Sequence, residues 1–234
     1  MSENSEFETY LIISPNAYEI YLFDTKNFKN LYEQNLTFQN NVDVIDQNLL
    51  NKFLEENIFK IEKLMGEFVR NIFLIIENNK ILNVHLGIKK KMYEKNINKQ
   101  YLENILVDAN DLFKENYQNQ KTMHVIISRY FANGKYYQNL EDNLKSDYLC
   151  LEIQFKIIPK DICSDIEKIL GKYQIFVSQY MDRNYIKSFI EDEQTIFSEM
   201  IYKIKNGFNE NEAKLVPKNP KKTGIFEKFF QLFG

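Results

Sequence analysis

The spacing of hydrophobic residues changes several times along this 234-residue chain. Between Leu149 and Ile157 apolar and polar residues alternate strictly, which is typical of a strand with one buried face. Between Asp43 and Met65 apolar residues recur every three or four positions, as in an amphipathic helix that Asp43 or Asp46 would cap. Strands and helices that follow one another in this way predict an α+β (mixed α/β) fold.

The remaining segments predict further strands and helices. The first two strands flank a tight turn of Ser14, Pro15, Asn16 and Ala17. A second strand pair is expected at 71–76 and 81–88. The other predicted elements are a strand near 31–38, a helix at 98–114, a strand at 123–127, a hairpin at Asn133-Gly134, a short helix between Pro159 and Gly171, a strand at 174–177 and a helix that begins near Asn184.

Composition restricts the class of protein. Apolar residues make up 44% of the chain and charged residues 27%, as in a globular protein with a substantial core. The net charge of -3 gives no bulk attraction to nucleic acid, so no nucleic-acid partner is expected.

Cys150 and Cys163 are too few and too far apart in sequence for a zinc knuckle or a redox pair, which favours a reducing cytoplasm. Residues 1–8 hold no secretory signal and no run of 18 apolar residues occurs, so any membrane contact is expected to be peripheral.

The sequence holds no motif of a known catalytic centre. Glycine-rich phosphate loops, nucleophile elbows and metalloprotease motifs are absent. His85 and His124 occupy strand-like segments with no carboxylate at ligand spacing, so both are interpreted as structural residues. We therefore expect no enzyme activity, no catalytic residue, no metal site and no cofactor.

The last twelve residues form the most distinctive segment of the sequence. Residues 207–222 lack hydrophobic periodicity and contain two prolines, as expected of a flexible linker. On a helical wheel, residues 223–234 have one apolar arc and one polar arc. The apolar arc consists of Ile225, Phe226, Phe229, Phe230, Leu232 and Phe233. Lys218, Lys221 and Lys222 precede it, and anionic headgroups attract each such cation with roughly 1 kcal/mol.

This pattern predicts a membrane-targeting amphipathic helix, with Lys221 and Lys222 among its lipid-binding residues. The alternative is a helix that folds back onto the domain, but a polar, proline-containing tether favours a segment held away from it. A helix this short is only marginally folded in water, so folding is expected to accompany insertion. One copy should bind weakly, and stable attachment would need several copies on one assembly.

The order of these elements resembles that of a known protein family. Hairpin, helix, strand pair and helix are followed by Met123-His-Val-Ile-Ile-Ser-Arg-Tyr130 and an Asn-Gly turn, as in the amino-terminal half of the bacterial cell-division protein FtsA. The resemblance implies an actin-like first lobe at 1–120 and an FtsA-type strand-helix-strand-strand subdomain, with the following helix, at 121–206. The linker at 207–222 and the amphipathic helix at 223–234 also look like the end of FtsA.

The chain departs from this family in two places. Actin-like ATPases bind phosphate through glycine-containing turns, the first of which lies in the opening hairpin. Here the turn Ser14-Pro15-Asn16 holds no glycine, and Pro15 lacks an N–H donor. The chain is also too short for the second large ATP-binding domain, so the resemblance implies a truncated form. Both departures argue against ATP binding, and the second argues against binding of the tubulin-like polymer FtsZ.

Together with the resemblance, the sequence predicts a cell-division adaptor without ATPase activity. Such a protein would attach peripherally to anionic lipid on the cytoplasmic face of the inner membrane, at the division site. It would dock or assemble division proteins through a surface between Met123 and Tyr185, with self-association as a further option. Two alternatives stay open: a degenerate actin-like nucleotide-binding protein, and a scaffold for pilus assembly similar to PilM.

Overall fold

The computed structural model describes residues 6–39, 45–91, 99–139, 144–191 and 195–213. These residues form two compact units. The first unit consists of Met1–Ile81 and Ile158–Phe208, and in sequence the second unit, Leu82–Ile157, is inserted between these two parts. The described residues 209–213 also belong to the second unit. Both units combine helices with a sheet, which confirms the predicted mixed α/β fold.

The described residues contain nine strands and five helices. The strands are β1 (Phe7–Ser14), β2 (Ala17–Asp24), β3 (Lys29–Thr37), β4 (Asn71–Ile76), β5 (Leu82–Lys91), β6 (Gln120–Ala132), β7 (Lys135–Tyr137), β8 (Tyr148–Pro159) and β9 (Phe176–Asp182). The helices are α1 (Gln47–Met65), α2 (Lys99–Asn116), α3 (Lys160–Gly171), α4 (Arg183–Lys187) and α5 (Phe197–Lys205).

The first unit is built on a five-stranded sheet in the order β3-β2-β1-β4-β9. β1, β2 and β3 pair antiparallel, whereas β4 pairs parallel with β1, and β9 parallel with β4. β1 and β2 are rich in apolar residues and are buried along almost their whole length. Burial of consecutive residues requires cover on both faces of the sheet. The predicted first hairpin is thus confirmed and lies at the centre of this unit.

Helices cover both faces of the first sheet. On one face Tyr18 contacts Phe53 of α1, with ring centroids 6.1 Å apart. On the other face Phe23 contacts Tyr202 of α5 at 5.9 Å between centroids. The apolar core of the first unit is therefore split into two layers by the sheet.

The start of α1 follows the sequence prediction. The carboxylate of Asp46 accepts hydrogen bonds from the backbone N–H groups of Asn48 and Leu49, each 3.0 Å long. Gly66 ends the helix in the left-handed conformation, with φ at 76°. Asp43, the other predicted cap, lies outside the described residues.

The second unit is a four-stranded sheet in the order β5-β8-β6-β7, with α2 packed against one face. The alternation predicted between Leu149 and Ile157 is confirmed, because every apolar side chain of that stretch is buried and the polar ones are half-buried. Phe113 of α2 stacks on Phe155 of β8, with ring centroids 4.5 Å apart. Asn133 and Gly134 join β6 to β7 with positive φ at both positions, as a tight hairpin prefers.

The strand pair predicted at 71–76 and 81–88 is wrong in its pairing. β4 belongs to the first sheet, whereas β5 pairs antiparallel with β8 in the second sheet. The reason lies in their residues: β4 is apolar and mostly buried, while β5 is largely exposed. Each strand therefore suits a different sheet, although a short turn connects them.

The sequence-based division places boundaries after residues 120 and 206. The chain passes between the two units at Ile81/Leu82, at Ile157/Ile158 and at Phe208/Asn209. The helix predicted to begin near Asn184 is two helices, α4 and α5. α4 ends after five residues, where the Ser188 hydroxyl donates a 2.7 Å hydrogen bond to the carbonyl oxygen of Tyr185.

Three buried tyrosines of the first unit donate hydrogen bonds to carboxylates. The pairs are Tyr10 with Glu8, Tyr21 with Glu19, and Tyr180 with Glu167. Burial is the largest cause that raises the pKa of each hydroxyl, and the neighbouring carboxylate raises it further. Burial also raises the pKa of Tyr18 and that of Tyr130, in the second unit, to about 12.

These tyrosines should make the protein sensitive to alkali. A tyrosine whose pKa is raised on folding contributes stability below its unfolded pKa of about 10, and this contribution is lost as the pH rises through the folded value. The free energy of unfolding is therefore expected to fall above about pH 10. Near-ultraviolet absorbance at about pH 11 should show fewer ionised tyrosines in the folded chain than the 15 that ionise in concentrated guanidinium.

Tyr136→Phe, at an exposed position, is the control. It should leave unchanged the number of tyrosines that resist ionisation in the folded chain. The prediction would be contradicted by a folded chain whose tyrosines all ionise in one step at about pH 10.

Candidate functional site

The carboxyl ends of three parallel strands meet at one edge of the first sheet. Ile13 of β1 lies opposite Ile76 of β4, which in turn lies opposite Asp182 of β9. In open α/β sheets, ligands commonly bind at the carboxyl ends of the parallel strands. This edge, which also carries the β1–β2 turn, is therefore the first candidate site.

The β1–β2 turn is closed by hydrogen bonds within the first unit. Ser14 Oγ donates to the carbonyl oxygen of Ala17 at 3.1 Å, and the carbonyl oxygen of Asn16 accepts from the N–H of Phe38 at 2.9 Å. Pro15 has no N–H to donate. The structure thus places the predicted residues Ser14, Pro15 and Asn16 in a tight hairpin turn rather than in an open loop.

Four charged side chains form an ion-pair cluster at the same edge. Arg183 pairs with Glu19 and, at 3.4 Å, with Glu77. Lys187 pairs with Glu77 at 3.5 Å. Arg183 and Glu19 are largely buried, so water screens this pair less than a surface pair. Two cations and two carboxylates balance each other, which leaves no excess positive charge for an anionic ligand.

Residues 209–213, which we call the exit segment, are bound to an edge of β6 in the second unit. The N–H of Ile127 donates to the carbonyl oxygen of Asn211, and the N–H of Ala213 donates to that of Val125, both at 2.9 Å. Ile126 and Glu212 form an antiparallel bridge between them. The sequence assigned these residues to the linker at 207–222, but the structure adds them to the sheet.

Side chains reinforce the exit segment. Asn211 makes hydrogen bonds with the Tyr130 hydroxyl, the Gln138 carbonyl oxygen and the Asn139 side chain. His124 is fully buried, and its Nδ1 lies 2.6 Å from Oε1 of Glu212. His124 therefore has the structural role that its sequence context predicts. No sequence signal distinguishes Asn211 among the many asparagines of this chain.

A cleft of about 570 Å3 lies at the amino ends of β4 and β9. Phe59 and Phe68 line this cleft and are each 72% exposed. Phe176, whose N–H donates to the carbonyl oxygen of Arg70 in the cleft wall, is 71% exposed. Such a group of exposed aromatic side chains is typical of a contact surface. None of these residues is among the sites predicted from the sequence, although Phe59 is a usable signal because it is an apolar residue that does not share the spacing of the buried residues of α1.

The predicted membrane-binding residues lie outside the described part of the chain. They are Lys221, Lys222, Ile225, Phe226, Phe229, Phe230, Leu232 and Phe233. Among the described residues, no helix has the length and apolar character that a membrane span requires. The same residues contain no group of three or more side chains arranged as metal ligands.

No protein-family model and no curated protein sequence matches the chain. It is distantly similar to a PilM-PilN type IV pilus biogenesis complex, with 6% identity, a TM-score of 0.48, and coverage of 76% of this chain and 48% of that chain. A Bacteroides thetaiotaomicron protein described as having an actin-like ATPase fold and unknown function shows 11% identity, a TM-score of 0.34, and coverage of 80% and 57%. The cytoplasmic domain of EpsL, an inner membrane component of the type II secretion system of Vibrio cholerae, shows 7% identity, a TM-score of 0.37, and coverage of 80% and 59%. The chain thus matches about half to three-fifths of the length of these structures.

Asn211→Ala should loosen the exit segment, because the substitution removes three side-chain hydrogen bonds. At about 1 kcal/mol for each bond, the loss of about 3 kcal/mol should make the amides of Ile127 and Ala213 exchange hydrogen roughly a hundredfold faster. Residue-resolved hydrogen exchange measures this directly. Glu210→Ala, at the exposed neighbouring position, is the matched control. Unchanged exchange in Asn211→Ala would mean that the backbone bonds alone hold the segment.

Proposed function

We propose that this protein is a membrane-attached scaffold with an actin-like lobe, which binds other proteins and has no catalytic activity of its own. The exit segment is the observation that carries this proposal. It holds the chain on the second unit at Ala213, immediately before the lysine-containing stretch and the amphipathic segment 223–234. A folded body joined at a fixed point to a membrane-binding tail is the architecture that a peripheral scaffold needs.

The order of the elements supports the actin-like part of the proposal. The hairpin β1–β2, the helix α1, the strands β4 and β5 and the helix α2 follow one another as the resemblance to FtsA implies. We assign the protein to cell division on that resemblance, at the cytoplasmic face of the inner membrane. Division proteins and further copies of this chain are the partners that we propose. Pilus assembly, in the manner of PilM, is the alternative process that such a scaffold would serve.

The geometry of the first candidate site supports a scaffold without nucleotide. A phosphate-binding turn offers backbone N–H groups to the phosphate oxygens. The β1–β2 turn contains Pro15, and Arg183 and Lys187 at the same edge are paired with carboxylates. A bound phosphate would have to compete with Glu19 and Glu77 for these cations.

The membrane-binding part of the proposal predicts the behaviour of two variants. A chain that ends at Lys222, and the variant Phe226→Asp, should lose sedimentation with vesicles that contain anionic phospholipid. The loss of one buried phenylalanine side chain costs roughly 1.5–3 kcal/mol, so Phe226→Asp is expected to weaken binding about tenfold or more. Phe59→Asp alters an equally large, exposed phenylalanine in the described part and is the matched control. Unchanged binding by the chain that ends at Lys222 would refute the anchor.

The absence of nucleotide binding is a separate prediction. Calorimetric titration with magnesium and ATP is expected to show no binding, because Pro15 removes an N–H donor from the turn and Arg183 and Lys187 are both paired with carboxylates. Saturable binding at micromolar concentration, lost in Arg183→Ala, would place a nucleotide at this edge and favour the degenerate actin-like nucleotide-binding protein instead.

A further inference from the structure

Charge is segregated within the second unit. Its four strands carry seven lysine or arginine residues and a single carboxylate, Glu152. α2, which covers one face of this sheet, carries two lysines and four carboxylates. Since the whole chain has a net charge of -3, the sheet is a local concentration of positive charge in an acidic protein.

Much of this positive charge faces away from α2. The apolar side chains of β8 that alternate with Lys156 are buried in the core beneath α2, so Lys156 lies on the opposite face. Lys89 and Lys91 of β5 lie opposite Cys150 and Tyr148, which share that face with Lys156. Glu152, the one carboxylate of the strands, also shares that face with Lys156. Arg129 lies on the same face, because its Nε is 3.5 Å from Oε2 of Glu152. We call Lys89, Lys91, Arg129 and Lys156 the basic face.

Two tyrosines accompany the basic face. The Lys89 ammonium lies 4.6 Å from the ring centroid of Tyr148, and the Arg129 guanidinium lies 5.8 Å from that of Tyr136. Tyr148 is 46% exposed and Tyr136 is 64% exposed. Tyrosine rings, apolar in body and polar at the tip, are enriched at the headgroup level of membranes. Cations and exposed tyrosines together form a surface that suits an anionic membrane interface.

The tail of the chain leaves from the same unit. Glu212 of the exit segment contacts His124, while Ala213 packs against the core beneath α2. Nine residues separate Ala213 from Thr223, the first residue of the amphipathic segment. Ala213 and Thr223 are thus ten residue steps apart, which span at most about 36 Å when fully extended. A membrane bound by the amphipathic segment is thus held within that distance of the second unit.

We propose that the basic face is a second membrane contact, which binds anionic phospholipid headgroups while the amphipathic segment inserts. This inference rests on the proposed membrane attachment and adds a defined orientation to it. Charge complementarity and the short reach from Ala213 favour a lipid surface over any other anionic partner. Each cation near such a surface strengthens binding roughly fivefold, and salt screens this contribution.

The test compares two triple variants of the full chain in vesicle co-sedimentation. One variant neutralises the basic face by Lys89→Gln, Arg129→Gln and Lys156→Gln. The other makes the same change in net charge on α1, at the exposed positions of Lys52→Gln, Lys60→Gln and Lys63→Gln. One set of vesicles contains phosphatidylcholine alone, and the other contains phosphatidylcholine mixed with the anionic lipid phosphatidylglycerol. Circular dichroism and thermal melting check that both variants fold.

The basic-face variant is expected to bind the anionic vesicles roughly a hundredfold more weakly, whereas the α1 variant binds like the original chain. Neither should change binding to phosphatidylcholine alone. The charge-preserving variant Lys89→Arg, Arg129→Lys and Lys156→Arg should retain binding. The inference would be overturned if the basic-face variant and the α1 variant weakened binding to anionic vesicles equally, or if neither variant weakened it. The chain that ends at Lys222 tests the anchor independently, so the two proposals can fail separately.

Discussion

The parallel pairing of β4 with β9 joins the two parts of the first unit that the inserted unit separates in sequence. Ile76 ends β4 and Phe176 begins β9, so the two strands meet although 99 residues of sequence lie between them. Closing so long a loop has an entropic cost, which a compact insertion with neighbouring ends reduces. The second unit has such ends, because Leu82 and Ile157 are direct partners in the β5–β8 ladder. The chain therefore enters and leaves the insertion at one place, and the pairing of β4 with β9 is left undisturbed.

Local patterns of the sequence predict the individual elements well. The alternation between Leu149 and Ile157, the Asp46 cap and the turn that begins at Ser14 depend on residues close in sequence, and the structure has all three. The pairing of β4 and β5 was not predictable in this way. A short polar turn between two strands is typical of a hairpin. Only the contrast between a buried and an exposed strand shows that they belong to different sheets.

The candidate sites depend on contacts between residues that are distant in sequence. Arg183 and Glu19 are 164 positions apart, and Asn211 and Tyr130 are 81 apart. No local spacing brings such residues together, so one sequence alone does not reveal them. His124 is an intermediate case, because its role could be predicted from the sequence but its partner could not. Its strand environment indicated a structural role, whereas its partner Glu212 lay in a stretch without periodicity that resembled a linker.

The exit segment determines how a mechanical load on the tail would reach the folded body. If the tail binds a membrane as proposed, a pull on it would be borne first by the bonds that join Asn211 to Ile127 and Ala213 to Val125. These few bonds are weaker than the ten-residue β5–β8 ladder inside the same sheet. Under tension the exit segment would peel from β6 before the sheet opened. Its detachment would lengthen the connection to the tail while the β5–β8 ladder stays closed.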